Sequence, residues 1–240
     1  MCDSPDKTPI WKAIADALRS DLAEGHYSPG EKLPTESALA DRFGVNRHTV
    51  RHGLSALVSE GLVRTRRGAG AFVVSTPADY RLGHRVRFHE NLIDAGRHPE
   101  KRVLSLDTRA ATQGEARALH IQVGDQVCAY HGLLLADGQP LAVVLSVFPS
   151  MRLSGIFEAL FATTSVTQAL RSVGIDDYTR ASTRLTAVRS TATQALLLQT
   201  REGDPLLRSS SVNQCANAIP VEYGRTWFVG DRITLTLGET

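Results

Sequence analysis

The strongest constraint on the fold of this chain is a closely spaced set of helix-start and helix-stop residues near its N-terminus. Thr35 and Asn46 are good N-cap residues, and each is followed by a short amphipathic helix. Gly44, between the two helices, suits the left-handed conformation that ends a helix. Helices joined by so short a turn must cross closely, and Ala40 and Val50 supply the small and β-branched side chains for that crossing. The segment therefore predicts a helix-turn-helix.

The sequence on both sides extends this prediction. Upstream, apolar residues at three- and four-residue steps from Ile10 to Ala23 predict an amphipathic helix. Downstream the period changes, because residues 62–66 and 71–74 have the pattern of two short strands and the RGAG between them is typical of a hairpin turn. Three helices followed by a hairpin predict a winged helix-turn-helix.

Charge is concentrated in the same region. The 240-residue chain has a formal net charge of only +2. Residues 42–74, however, contain six arginines and one acid, Glu60, which gives a local charge of +5. This concentration indicates a polyanionic partner, and with the predicted fold it indicates DNA.

The second helix of such a motif enters the major groove with its N-terminal residues. We expect Arg47 to make a bidentate contact with a guanine edge, and Arg51, one turn further on, to reach a base or a phosphate. Asn46 and Thr49 can contact phosphate or base. His48 either joins these contacts or covers the turn.

The hairpin is expected to add contacts from its tip. Gly68 allows a close approach to the duplex because it has no Cβ, while Arg66 and Arg67 enter the minor groove or hold phosphate. Arg64 and Arg66 alternate onto one strand face, so only one of them need reach DNA. His52 is expected to be structural.

Beyond the hairpin the pattern changes to strands mixed with short helices. We expect a linker at 76–84 between a DNA-binding domain at 8–75 and a second domain at 85–238. The second domain is predicted to contain a pair of strands that turns at Asp137-Gly138, further strands and three short helices. We detect no internal repeat. This mixture predicts an α+β fold around an antiparallel sheet.

Several classes of protein are disfavoured. Three cysteines without metal-ligand spacing argue against a disulfide framework and a zinc site. No apolar run approaches the roughly 20 residues that span a bilayer, and the N-terminus lacks the pattern of a signal peptide, so we expect a cytoplasmic protein. The second domain has a single lysine, Lys101, and no nucleophile, phosphate-loop or metal motif. We therefore expect neither an enzyme nor a bound cofactor or metal.

Polar residues of the second domain could bind a small anion. Arginines and further donors surround the start of one predicted helix, and hydroxyl residues begin another. These candidates are Arg85, Arg87, His89, Asn91, Ser165 and Thr167. Arg180, Ser182 and Arg184 alternate along a predicted strand and would share one face, which is directed toward either a pocket or solvent.

The stretch PGEKLPTESALADRFGVNRHTVRHGLSALVSEGLVRTRRGAGAFV closely resembles the winged helix of the GntR transcriptional regulators, and the resemblance covers residues 10–74. It implies DNA contacts from Ser37, Asn46, Arg47, His48, Thr49, Arg51, Arg67 and Gly68. Many members of the family have a charged residue where this chain has Ser37, which implies a weaker contact here.

The rest of the chain resembles the HutC branch of that family through RFHENLIDAG, ADGQPLAVVLSVFP, DPLLRSSSV and IPVEYGRTWFVGDR. The resemblance implies a UTRA domain, with a chorismate-lyase-like fold, that dimerises and binds a small acid or a sugar phosphate. It also places Glu222, Tyr223 and Phe228 at the effector. Glu222 could pair with an amine on the ligand or could hold an arginine in place.

NRHTVR combined with YRLGHRVRFHENL is most similar to repressors of phosphonate-utilisation genes. Sugar-phosphate sensors of this branch have two arginines where this chain has Gly132 and Leu134, and a polar residue where it has Val144. These differences argue against a phosphosugar bound in that way and leave room for a smaller phosphonate.

The sequence thus predicts a homodimeric repressor that reads a palindromic operator in double-stranded DNA and responds to a small anionic effector, a phosphonate or phosphate ester. A HutC-type repressor for another small acid or sugar phosphate is one alternative. An enzyme domain fused to a DNA-binding domain is a second, and a nucleoid-type DNA binder without a ligand is a third.

Overall fold

The structure, a computed structural model, describes residues 9–66, 68–74, 77–85, 87–163 and 165–237; it does not describe the side chain of Arg66. The chain divides after residue 76 into two compact units. Each unit is described by itself below.

The first unit contains three helices and a hairpin. The helices are α1 (Ile10–Ala23), α2 (Glu36–Phe43) and α3 (Arg47–Ser59), and the strands are β1 (Val63–Arg66) and β2 (Gly70–Val73). The strands pair antiparallel, from Val63 opposite Val73 to Arg66 opposite Gly70. These elements confirm the winged helix-turn-helix.

The core of the first unit forms where α1 and α3 cross. Leu18, Leu39, Val50 and Leu57 are fully buried there. Gly53 of α3 allows the close approach, because a Cβ at this position would lie 3.0 Å from the backbone oxygen of Trp11 in α1. The apolar stripe of each helix thus meets the other at a contact that only a glycine fits without adjustment.

The second unit is an α+β domain, as predicted. Its helices are α4 (Phe88–Asp94), α5 (Gln113–Leu119), α6 (Ile156–Ala162), α7 (Val166–Ser172) and α8 (Ala192–Leu198). Its strands are β3 (Ala78–Leu82), β4 (Pro99–Ala110), β5 (Gln126–Ala136), β6 (Gln139–Pro149), β7 (Thr179–Arg189), β8 (Pro205–Gln214), β9 (Pro220–Val229) and β10 (Ile233–Leu237).

Six of these strands form one antiparallel sheet in the order β4-β5-β6-β9-β8-β7, and β3 pairs in parallel with β10 outside it. Helices α5 and α8 pack against one face, where Leu119 and Leu198 are fully buried. Helices α6 and α7 contribute to a cluster on the other face, with Tyr130 and Phe148 at its centre. Both faces of the sheet are therefore covered, which explains the long apolar stretches in β5 and β6.

The sheet consists of two similar halves, β4-α5-β5-β6 and β7-α8-β8-β9, which contradicts the expectation of no internal repeat. Thr112 begins α5 with a capping box, and Thr191 begins α8 with another. Each helix ends on a residue with positive φ, His120 at 54° and Gln199 at 52°. The halves also share an alanine, a leucine and a Gly-Asp pair at the same spacing from that threonine, since Ala116, Leu119, Gly124 and Asp125 match Ala195, Leu198, Gly203 and Asp204. The positions between them differ, and this short pattern was not recognised as a repeat.

An arginine from each half satisfies the C-terminal carbonyl groups of its helix and reaches into the other half. Arg152 donates to the carbonyl oxygens of Leu119 at 3.0 Å, His120 at 3.3 Å and Pro220 at 2.5 Å. Arg232 makes the equivalent set, to Leu198 at 2.7 Å, Gln199 at 3.2 Å and Pro140 at 2.6 Å. The arginine that follows β6 thus binds the start of β9, and the arginine that follows β9 binds the start of β6.

The structure also differs from the sequence prediction at the edges of the second domain. The predicted linker at 76–84 contains strand β3, whose pairing with β10 begins at Ala78 opposite Ile233. The linker prediction is wrong there. Strand β3 pairs with a strand more than 150 residues away in sequence, and the turn-like residues near it were given more weight than its five alternately buried and exposed residues. Helices α6 and α8 were not predicted. None of the described helices is long and apolar enough to cross a membrane.

Arg232→Ala is expected to lower the free energy of unfolding of the second unit by about 3 kcal/mol or more, because it leaves three carbonyl groups without their charged donor in a buried position. Unfolding in urea, followed by tryptophan fluorescence in a Trp11→Phe background, reports this unit through Trp227 alone.

Arg152→Ala is the matched control. Its side chain is exposed overall and its bonds to Leu119 and Pro220 are part-buried, whereas the bonds of Arg232 to Leu198 and Pro140 are buried, so water replaces Arg152 more easily and the loss should be smaller. Equal losses for the two variants would contradict the importance assigned to burial.

Candidate functional site

The turn between α2 and α3 is fixed by local hydrogen bonds. Thr35 Oγ1 accepts from the amide of Ala38 at 3.2 Å, and Asn46 Oδ1 accepts from the amide of Thr49 at 2.9 Å. Gly44 has a φ of 64° between the two helices. Both caps and the left-handed glycine lie where the sequence predicts them, so the N-terminus of α3 is presented at the surface.

The two arginines expected to read DNA are both held by α2. Arg47 Nη2 donates to Ser37 Oγ at 2.9 Å, and Arg51 donates twice to the Glu36 carboxylate, at 3.1 and 2.6 Å. The Arg51 guanidinium lowers the pKa of Glu36 below its usual value. Because the Arg51 side chain is 64% exposed, this ion pair is well solvated and can exchange for a phosphate or a base.

The remaining predicted residues of α3 have different surroundings. His48 is exposed, and the Thr49 hydroxyl donates to Asn46 Oδ1 at 2.9 Å. His52 stacks on Trp11 of α1 with ring centroids 4.3 Å apart, in agreement with a structural role. The surface group therefore consists of Asn46, Arg47, His48, Thr49 and Arg51, together with Ser37.

A groove of about 750 Å³ lies between α2, α3 and the hairpin. Gly68, with a φ of 71°, lines it, whereas Arg67 and the side chain of Arg66 lie outside the described residues. Lys32 also lines the groove, since its backbone bridges to Phe72 of β2. Lys32 was not predicted as a groove residue, because its pairing with the hairpin is long-range. Its position immediately before LPTE was the only local signal.

A second cavity, in the second unit, lies on the face of the six-stranded sheet that α6 and α7 cover, and has a volume of about 520 Å³. Every strand of that sheet contributes to it. The strand residues that line it are Lys101, Tyr130, Leu134, Val144, Ser146, Arg180, Ser211, Asn213, Glu222, Gly224 and Thr226. We call this cavity the sheet pocket.

Cationic side chains predominate in the lining of the sheet pocket. Its charged side chains are those of Arg87, Lys101, Arg171, Arg180, Glu90 and Glu222. Glu90 is on the rim, with its side chain 64% exposed, whereas Glu222 is buried. The pocket therefore suits a ligand with an anionic group.

Half of the residues predicted to bind an effector line the sheet pocket. These are Arg87, His89, Ser165, Thr167 and Glu222. The Arg87 guanidinium lies 5.6 Å from the ring centroid of Tyr178, and Thr167 Oγ1 lies 2.9 Å from the Tyr178 hydroxyl. Ser165 Oγ is also the N-cap of α7 and accepts from the amide of Gln168 at 3.3 Å.

Three of the other predicted residues are close to the pocket but do not line it. Asn91 is engaged with the backbone, since it accepts from the Arg81 amide at 2.8 Å and donates to the Arg87 carbonyl at 3.2 Å. Arg85 pairs with Asp177, whose pKa it lowers. Phe228 is buried in the core beside the Tyr80 ring, with centroids 5.4 Å apart.

Tyr223 lies on the opposite face of the sheet from the pocket. Its strand neighbours Glu222 and Gly224 line the pocket, so alternation directs Tyr223 toward the cluster beneath α5. The position implied by the resemblance to HutC regulators therefore does not apply to this side chain.

Arg184 also lies on the opposite face. It pairs with Ser210, and Ser210 pairs in turn with Arg225, which contacts Glu115 of α5. A β-bulge between Arg180 and Ser182 breaks the alternation that the sequence predicts, so only Arg180 of the alternating residues reaches the pocket.

Tyr130 is the main pocket residue that the sequence analysis missed. Its ring lies over Gly132, where an added Cβ would be 2.9 Å from Tyr130 Cε1 and 3.0 Å from the Tyr130 hydroxyl. The hydroxyl is buried and has no hydrogen-bond partner among the described residues, and burial raises the pKa of Tyr130 to about 12. The pairing of a tyrosine with a glycine two residues later was the available signal.

Comparison with known proteins identifies the family. The model of the bacterial regulatory proteins of the gntR family matches residues 11–73, and that of the UTRA domain matches residues 94–234. The chain belongs to the GntR family of transcriptional regulators, of the HutC type with a UTRA domain. Members of this family bind DNA and a small-molecule effector.

Similar proteins span nearly the whole chain. An uncharacterised HTH-type transcriptional regulator of Rhizobium meliloti is 35% identical over 95% of this chain and 94% of its own length. "Probable transcriptional regulator PhnF" of Escherichia coli is 33% identical over 95% and 94%. The crystal structure of PhnF from Mycobacterium smegmatis superposes with a TM-score of 0.65 at 25% identity, covering 95% of this chain and 99% of that one.

Gly132→Ala is expected to destabilise the second unit by about 1–3 kcal/mol, because the new methyl group overlaps the buried Tyr130 ring and Val144. Urea unfolding of the full chain, followed through Trp227 in the Trp11→Phe background, measures the change.

Gly114→Ala provides the control, since a Cβ at this helical glycine meets no atom within 4 Å and should be neutral or stabilising. A similar effect of the two substitutions would argue against close contact between Tyr130 and Gly132.

Proposed function

We propose that this protein is a homodimeric repressor of genes for phosphonate uptake or breakdown. It dissociates from its operator DNA when a phosphonate or phosphate ester binds in the sheet pocket. The observation that carries the proposal is the cationic lining of that pocket in a chain similar to PhnF. Binding of the effector and binding of the operator are coupled, and a typical coupling free energy of about 1–3 kcal/mol changes operator affinity roughly 5- to 150-fold.

The DNA contacts in this proposal come from one surface of the first unit. Arg47 and Arg51 leave Ser37 and Glu36 to reach base edges and phosphates, while Asn46, His48 and Thr49 contact the backbone or bases beside them. Ser37, Arg66, Arg67 and Gly68 complete the interface. Because two copies of the chain present this surface in a dimer, the operator is a palindrome.

A sugar phosphate is the second candidate effector, since the resemblance to the HutC branch implies a domain that binds a small acid or a sugar phosphate. The lining of the sheet pocket favours the phosphonate. Gly132 is covered by the Tyr130 ring, and Leu134 and Val144 supply apolar surface where polar contacts to sugar hydroxyls would be needed.

Arg51→Ala is expected to weaken binding to DNA that carries the promoter of the protein's own operon by about 5- to 150-fold, because a lost base contact costs about 1–3 kcal/mol. Electrophoretic mobility shift at fixed salt measures this, with Arg117→Ala, the same charge change on the exposed surface of α5, as the control. Unchanged affinity of an Arg47→Ala, Arg51→Ala double variant would refute the assigned reading helix.

Ethylphosphonate is expected to raise the melting temperature of the full chain and to release the promoter fragment, since binding to the folded state alone stabilises it in proportion to the logarithm of ligand excess. Arg87→Ala should abolish both effects. Arg85→Ala is the matched control, because this neighbouring arginine pairs with Asp177 and does not line the pocket. An equal response to glucose 6-phosphate would favour the second candidate effector.

A further inference from the structure

The buried carboxylate of Glu222 indicates a second requirement of the ligand. Glu222 lies in the lining of the sheet pocket, and its side chain accepts from Ser146 Oγ at 2.6 Å and from Asn213 Nδ2 at 2.6 Å. Both donors are neutral. Among the described residues, no arginine or lysine nitrogen lies within ion-pair distance of this carboxylate, so of the two roles considered from the sequence, holding an arginine in place is not the one observed.

A buried carboxylate without a cationic partner is costly, and proteins accept that cost mainly where it serves a function. The two-fold repeat of the sheet shows that the fold does not require a carboxylate at this position. Arg180, Asn213 and Glu222 form one row across β7, β8 and β9. The equivalent row in the other half, across β4, β5 and β6, is Lys101, Leu134 and Ala142.

The two rows differ in a specific way. Each begins with a cation that lines the pocket, but the next two positions are apolar in the first half and are an amide and a carboxylate in the second. Leu134 and Ala142 are buried at their positions without any polar group. The strand rows therefore form without an amide or a carboxylate at these two positions.

Cations lie around Glu222 without neutralising it directly. Arg180 is two strands away, so their backbones are about 10 Å apart, and the Lys101 ammonium is held over the Tyr130 ring at 5.6 Å from its centroid. Burial lowers the pKa of Lys101, and the charge of Glu222 opposes that shift. A ligand with charges of both signs would pair with both sides of the pocket at once.

Resting on the proposed function, we propose that the effector is a zwitterion: its phosphonate or phosphate group binds near Arg87 and Arg180, and its primary ammonium group donates to the Glu222 carboxylate. The ammonium takes the free lone pairs of Glu222, while Ser146 and Asn213 hold the carboxylate in place. Short ω-amino phosphonates and ω-amino phosphate esters have this chemistry.

Isothermal titration calorimetry of the full chain with four ligands tests the proposal. 2-Aminoethylphosphonate and O-phosphoethanolamine carry the amine, and ethylphosphonate and ethyl phosphate lack it. We expect each amine-bearing ligand to bind about 10- to 100-fold more tightly than the analogue that lacks the amine, as one charge-assisted hydrogen bond in a buried site implies. The comparison between the phosphonate pair and the ester pair identifies which anion the pocket takes.

Glu222→Gln keeps the size and an acceptor oxygen but removes the charge, so it should reduce the preference for the amine to within about twofold. Glu100→Gln is the matched control, because this exposed carboxylate pairs with Arg102 and does not line the pocket, and the preference should persist in it. Thermal melting of both variants establishes that they fold.

The outcomes separate the two proposals. Equal binding of ethylphosphonate and 2-aminoethylphosphonate to the wild-type chain, or a preference that survives Glu222→Gln, overturns the zwitterion and leaves the phosphonate regulator intact. Failure of all four ligands to bind overturns both.

Discussion

The second unit depends on two arginines that each connect one half of the sheet to the other. A helix leaves its last carbonyl groups without partners, and here α5 and α8 both end on residues in the left-handed conformation. Arg152 and Arg232 donate to these carbonyls and, with the same guanidinium groups, to a carbonyl near the start of the last strand in the other half. Each arginine thus ties a helix end of one half to a strand start of the other, and the two halves are connected twice.

The sheet pocket is lined by residues from all six strands of this connected sheet. A two-fold repeat would by itself give a pocket with equivalent sides, and one cation from each half, Lys101 and Arg180, preserves that symmetry. The two halves nevertheless differ in the lining of the pocket. Asn213 and Glu222 replace an apolar pair, and Tyr130 lies over Gly132 in the other half. The pocket thus has two sides of different polarity although they are built on one supersecondary plan.

Much of the fold could be predicted because its signals are local. Thr35, Gly44 and Asn46 define helix ends within a few residues, and the structure has these caps where they are expected. The pocket could be predicted only in part, because strand parity and bulges are decided by pairing across the sheet. The β-bulge between Arg180 and Ser182 directs Arg184 to the face opposite the pocket. Tyr223 was expected at the effector together with Glu222, but adjacent residues of a strand face opposite sides of the sheet. Tyr130 and Lys101 were not predicted as pocket residues for a related reason. Their position in the lining depends on which residues of the neighbouring strands lie beside them.

The two arginines of α3 and the carboxylate of the sheet pocket differ in their exposure to solvent. Arg47 and Arg51 are predictable from sequence because their function requires exposure, and their partners Ser37 and Glu36 are weak enough to be replaced by a polyanion. Glu222, in contrast, is buried in the lining of the sheet pocket, where a charge is screened less than at the surface. Under the proposed function, a single matched charge on a small ligand would therefore contribute strongly to binding there, and linkage would pass that contribution on to operator affinity.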